Sequence, residues 1–158
     1  MPPASPRKKY GFSFTDALII LAVIVVIGTL AVPRLLRPRL AAGEASALES
    51  VRAINAAEIT YASRYPDRGF TCALGALAEN GDAAGRLLAP ALAGGVKNGY
   101  SFFLANCNGI PATSYLITAV PAAPNQTGVR NFCSDPTGII RYTVDSGSSC
   151  TANSRPIE

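Results

Sequence analysis

The chain has 158 residues, a length that suits one ordinary domain or a smaller one joined to a long non-globular element. Hydrophobic residues make up 49% and charged residues 15%, with a mean hydropathy of +0.25, so part of the apolar content is expected in a membrane segment. The formal charge is +4 and histidine is absent, which excludes Ser/His/Asp and Cys/His catalysis and speaks against a zinc site.

The first element is apolar. Ala17 to Val32 carries no charge, and counting from Phe12 gives 21 residues, interrupted only by Asp16. As a helix it spans roughly 31 Å, enough to cross a hydrocarbon core of about 30 Å. Arg7, Lys8 and Lys9 precede it and Arg34, Arg37 and Arg39 follow it, an arrangement that fits lipid headgroups better than nucleic acid. The run ends in Val32-Pro33-Arg34 and not in small residues of the A-x-A type, which disfavours a secretory signal cut after it. A carboxylate within the run is anomalous, since at a bilayer centre it costs about 2.5 to 3.5 kcal/mol. The bland explanation is that Thr15 or Asp16 caps the start of the helix.

Lys8-Lys9-Tyr10-Gly11 followed by Phe12-Ser13-Phe14-Thr15-Asp16 and the apolar run resembles the processing signal of type IV prepilins, a family that includes the type II secretion pseudopilins. Pro33 falls where that family places a helix-kinking proline, and Ala41-Ala42-Gly43-Glu44-Ala45 continues the likeness. The resemblance covers residues 7–65. It implies a leader of residues 1–11, a peptidase cut between Gly11 and Phe12, N-methylation of Phe12, and an assembly role for Asp16 at the fifth mature position. The family normally carries glutamate there, so the side chain here is one methylene shorter. In the family this carboxylate neutralises the free N-terminal amine of a neighbouring subunit, which lowers the cost of both charges in lipid.

After Pro33 and Pro38, the residues Ala47, Leu48, Val51, Ile54, Ala57, Tyr61 and Tyr65 recur at three- and four-residue spacing, one face of an amphipathic helix that packs on a sheet. Glu44, Glu49, Arg52, Glu58 and Arg64 are read mainly on the other face, and Pro66, Asp67 and Gly69 end the helix. Residues 67–98 form a connecting region, with short helices predicted around Leu74 to Glu79 and near Gly85 to Leu92. Four antiparallel strands follow at Gly99 to Ala105, Ser114 to Val120, Gly128 to Cys133 and Gly138 to Val144, separated by Gly, Pro and Asn turns. Phe102, Leu104, Tyr115, Ile117, Ile139 and Tyr142 are the expected apolar face.

Four cysteines, Cys72, Cys107, Cys133 and Cys150, lie scattered after the apolar run with no CxxC, which reads as two disulfides in an oxidising compartment. Four cysteines allow three connectivities; the favoured one joins Cys72 to Cys107 and Cys133 to Cys150, each loop worth about 3 kcal/mol. Asp135 and Asp145 are weak calcium candidates, better read as turn residues, and Asn125-Gln126-Thr127 matches a glycosylation triplet.

The expected fold is α+β, and the resemblance implies the pilin ladle: a long N-terminal hydrophobic helix whose C-terminal half packs on a small antiparallel sheet. The division is leader 1–11, membrane and assembly helix 12–36, amphipathic helix 37–66, and head 67–158. The expected function is a non-catalytic structural subunit of a type IV pilus for adhesion, motility or DNA uptake. The alternatives are a type II secretion pseudopilin and a singly anchored periplasmic binding domain. No cofactor and no metal are expected. The implied partners are other pilin subunits, a prepilin peptidase, an inner-membrane platform with its ATPase, an outer-membrane secretin and membrane lipid; nucleic acid enters only through DNA uptake. The implied location is the inner membrane before assembly, then a surface pilus or periplasmic pseudopilus.

Overall fold

A computed structural model describes residues 13–79, 86–144 and 149–157, without the side chains of 28–37 and 79. The leader 1–11 with Arg7, Lys8 and Lys9, the Gly11/Phe12 cut, the side chains of Pro33, Arg34 and Arg37, Gly85 and Asp145 lie outside the described residues. The chain divides into two compact units, Met1–Arg37 and Pro38–Glu158.

Helix α1 runs from Phe14 to Arg64 and contributes to both units. In the first unit its start is set by Ser13 and Asp16. The Asp16 carboxylate accepts from the Ser13 amide at 3.2 Å, while the Ser13 carbonyl takes the Asp16 and Ala17 amides. This is the reciprocal half of a capping box, in which the third helical residue reaches back to the cap. From Phe14 to Ile27 every side chain is exposed, with the large apolar ones between 47% and 79% accessible. That stretch is about 21 Å long. Among the described residues no helix is long and apolar enough to cross a membrane.

In the second unit the later turns of α1 present Ala47, Val51, Ile54, Ala57 and Tyr61 to a core shared with Tyr100, Phe102, Tyr115, Ile117, Ala119 and Phe132 of the sheet region. Pro66 and the left-handed Gly69 follow the helix end. Two single-turn helices, α2 (Ala76–Glu79) and α3 (Pro90–Ala93), cross the connecting region; Leu77, Leu88 and Leu92 anchor it in the core. The second of the predicted helices is shorter than expected because its usable start is Pro90, whose ring supplies a first-turn dihedral.

The sheet has six antiparallel strands in chain order: β1 (Val96–Lys97), β2 (Tyr100–Ala105), β3 (Leu116–Pro121), β4 (Asn131–Ser134), β5 (Ile140–Thr143) and β6 (Arg155–Pro156). Four strands were predicted; β1 and β6 are additions, each too short to show a periodicity of two. What makes β1 is a turn. Asn98 and Gly99 both have positive φ, 48° and 80°, and join strands that pair Lys97 with Tyr100, the geometry of a two-residue type I′ hairpin.

Three burial expectations are corrected. Ile139 is 45% exposed and Ile140 takes the core position, because the Asp135 to Gly138 turn delays the start of β5 to Ile140. Glu44 and Glu58 do not lie on the outer face: the Glu44 side chain is 11% exposed and Glu58 is wholly buried. Spacings of three and four place Glu58 in line with Val51, Ile54 and Tyr61, and the apolar count passed over it because its side chain is charged.

Candidate functional site

Asp16 lies in the first turn of α1, exposed, at the head of the apolar surface that continues to Ile27. A carboxylate here faces the positive end of the helix dipole, which suits an anion. Pro33 lies within the backbone span of α1. The described part of the first unit therefore offers one acidic group beside a long apolar surface.

In the second unit α1 is fastened to the segment before β4 by Glu44. Its Oε1 accepts from the Val129 amide at 2.9 Å and the Arg130 amide at 3.2 Å, and its Oε2 accepts from Arg130 Nε at 2.8 Å and pairs with Nη2 at 2.7 Å. Arg130 also stacks over the rings of Phe132 and Tyr142 at 5.6 and 5.4 Å. Gly43, one residue earlier, has no room for a Cβ: one built there lies 2.4 Å from the Thr127 carbonyl oxygen. These two neighbours let the loop backbone lie directly on the helix. In the sequence Gly43 stands out only as part of a family likeness, and Glu44 reads as an outward-facing charge.

The two disulfides join Cys72 to Cys107 and Cys133 to Cys150. The first ties the segment after α1 to the loop after β2. The second holds the C-terminal segment across β4, whose four residues are all buried. Asn55, Tyr115 and Ser134 form a buried polar chain: Tyr115 Oη donates to Asn55 Oδ1 at 2.9 Å, Asn55 Nδ2 donates to Ser134 Oγ at 2.8 Å, and Ser134 Oγ donates to the Ile139 carbonyl at 3.1 Å.

Glu58 is the most unusual group. Its Oε2 accepts from the Thr71 amide at 2.8 Å, and its Oε1 has no hydrogen-bond partner among the described residues. Burial pushes its carboxyl up to about 7, against the opposing pull of the Thr71 amide. Tyr115 is raised to about 12, first by burial and then by the charges of Glu58 and Asp135.

The calcium candidate Asp135 is otherwise engaged. Its carboxylate accepts from the Thr137 amide and hydroxyl and pairs with Arg141 at 3.4 Å. Among the described residues no group of His, Cys, Asp and Glu gathers in a way that could hold a metal. The Asn125-Gln126-Thr127 triplet occupies the turn before Gly128, with the Thr127 hydroxyl bonded to the Ala123 backbone. A groove of about 590 Å³ lies along Arg130, Tyr142, Arg155, Pro156 and Ile157, beside the β5 to β6 edge.

No family model, curated protein or solved structure matches this chain.

Proposed function

We propose that the chain is a filament subunit of the type IV pilin and pseudopilin class, non-catalytic, anchored by residues 12–36 until assembly and carrying its disulfide-bonded α+β unit outside the inner membrane. The observation that carries this reading is the apolar surface of α1 from Phe14 to Ile27, exposed throughout and headed by one carboxylate. A surface of that length left open to water marks a contact with lipid or protein. The sequence of basic leader, Gly11, Phe12 and Asp16 just before it supplies the processing signal such a contact would use.

The proposed sequence of events follows from charge. Cleavage after Gly11 removes Arg7, Lys8 and Lys9 and creates an amine on Phe12, a cation that is costly in lipid until paired. Asp16 of an adjoining subunit supplies the anion, and the apolar helices then bundle with both charges neutralised. Residues 38–158 contain equal numbers of acidic and basic side chains, so the whole formal charge resides in residues 1–37. That distribution favours anionic lipid at the basic flanks over nucleic acid on the disulfide-bonded unit. Partners in this scheme are further copies of the chain, a prepilin peptidase, an inner-membrane platform with its ATPase and a secretin. Between the filaments, a pilus is favoured by the two disulfides, which suit a surface exposed to the outside.

A second reading draws on a specific contact. Asp16 already accepts from the Ser13 amide within its own chain, the reach-back half of a capping box, which suits a singly anchored periplasmic domain. Mass spectrometry of the N-terminus of membrane-extracted protein, from cells with and without the peptidase, separates the two. A chain that starts at methylated Phe12 only when peptidase is present supports the filament subunit; a leader retained in both strains sinks it.

A further inference from the structure

Glu58 combines features that a passive core residue lacks. It sits on the core-facing side of α1, it is wholly buried, and no cation pairs with it among the described residues. Its Oε2 accepts from the Thr71 amide, and its Oε1 is unpartnered among the described residues. A buried carboxyl in this state is stable only when neutral, because ionisation puts a charge where neither water nor a counter-ion compensates it.

Thr71 is well placed to respond. It lies between two ties that bind its segment to the loop after β2: the backbone exchange of Phe70 and Arg68 with Ala112, and the Cys72 to Cys107 disulfide. The Phe70 ring meets the Tyr115 ring edge-on at 4.8 Å, and Ile110, at the tip of the partner loop, is fully exposed. Segment 68–73 and loop 106–113 are thus tied together, and the Thr71 amide bonds this feature to the core face of α1.

We propose that Glu58 is a proton-operated latch, which holds segment 68–73 and its attached loop on α1 while it is neutral and releases them to admit water when it ionises. Among the described residues nothing in the surroundings overrides it. On the β3 side stands Tyr115, whose hydroxyl is committed to Asn55, and beyond it Asp135 is committed to Arg141. On α1 and just past its end, Tyr61 and Tyr65 face Arg68, whose guanidinium hydrogen-bonds Tyr61 and lies 5.4 Å over the Tyr65 ring. Cys72 and Cys107 are tied in the disulfide and do not titrate. Burial sets the midpoint at about 7, so the latch works across neutral pH. The device is independent of filament assembly and stands or falls on its own test.

The test is residue-resolved amide exchange on the full chain in mild detergent, from about pH 5.5 to about pH 8.5, with wild type and Glu58→Gln compared. After correction for base-catalysed exchange, protection at Thr71, and at Ala73 whose amide donates to the Thr71 hydroxyl at 3.2 Å, is expected to fall roughly tenfold to a hundredfold in the wild type and to stay level in the variant. Amides of Val51 and Ile117 are expected to hold in both. An equal fall in the variant overturns the proposal, and so does a fall shared by Val51 and Ile117, which would be loosening of the whole core. A carbon-13 titration of the Glu58 carboxyl in the wild type serves if the variant does not fold. A midpoint near neutrality supports the latch, and one at the ordinary glutamate value overturns it.

Discussion

Glu58 and Glu44 stand on the same helix and were read from the sequence as a pair of outward-facing charges, yet they meet opposite surroundings. Glu44 collects two backbone amides and a guanidinium. Glu58 collects one amide and is left with an unpartnered oxygen. For Glu58 the consequence is a pH dependence of stability whose sign is fixed by the direction of the shift. The folded chain holds the proton up to about 7, whereas the unfolded chain releases it near the ordinary value of 4.5. Folding therefore retains an extra proton between those limits, and stability falls as pH rises through that window. Glu58→Gln keeps an acceptor for Thr71 and removes the titration. It is expected to match the wild type at about pH 4 and to exceed it at about pH 8, by about 1 to 3 kcal/mol after allowance for solvent screening of the ionised carboxyl. Thermal unfolding followed by circular dichroism at the two pH values checks this, and parallel curves would contradict it. A sequence cannot distinguish two glutamates of this kind, because the distinction lies in which backbone amides arrive from 13 and 85 residues away.

At the scale of elements, the parts with a strong period were legible. The stripe Ala47, Val51, Ile54, Ala57 and Tyr61 is the buried face of α1, since side chains three and four apart share one side of a helix. The four longer strands lie where alternating apolar runs and turn residues placed them. The edge strands β1 and β6, of two residues each, were not legible, although the Asn98-Gly99 pair is a hairpin signal that points to the first. Gly43 is the element-scale residue whose importance is hidden. In a helix interior glycine costs about 1 kcal/mol relative to alanine, so a replacement chosen on propensity alone would be alanine. Here a Cβ would meet the Thr127 carbonyl oxygen at 2.4 Å, a backbone atom that cannot swing away. Gly43→Ala is accordingly expected to lower stability by about 1 to 3 kcal/mol, by the strain of an overpacked contact. A gain in melting temperature would show that the loop yields, and would remove the close approach as a reason for glycine.

At the scale of the molecule, the proposed assembly role rests on Asp16 as an anion that a second subunit can use, and not on its service to its own helix. The two are separable because Asp16 is exposed and its intrachain bond is a single contact to Ser13. Asp16→Ala is expected to leave the fold of residues 38–158 unchanged by circular dichroism, with no more than about 1 kcal/mol lost from the helix start. It is also expected to remove filaments from the sheared surface fraction. Asp16→Glu restores the family's usual residue and is expected to keep them or raise their amount. Equal filament yield from all three forms would leave Asp16 as a cap alone.

Some properties of this protein were determined by the sequence alone. Helix and strand periods, the apolar run, the basic flanks and the even set of cysteines in a chain without histidine all follow from the order of side chains, because each depends on neighbours a few residues apart. Other properties were decided only by the tertiary structure. Which of three cysteine pairings forms, which of Ile139 and Ile140 faces inward, why Gly43 is bare and why Glu58 holds a proton near neutrality each depend on atoms brought together from distant parts of the chain. The physical reason is that burial and hydrogen bonding are properties of a place, and a place in the core is made jointly by segments whose spacing along the chain carries no record of their contact.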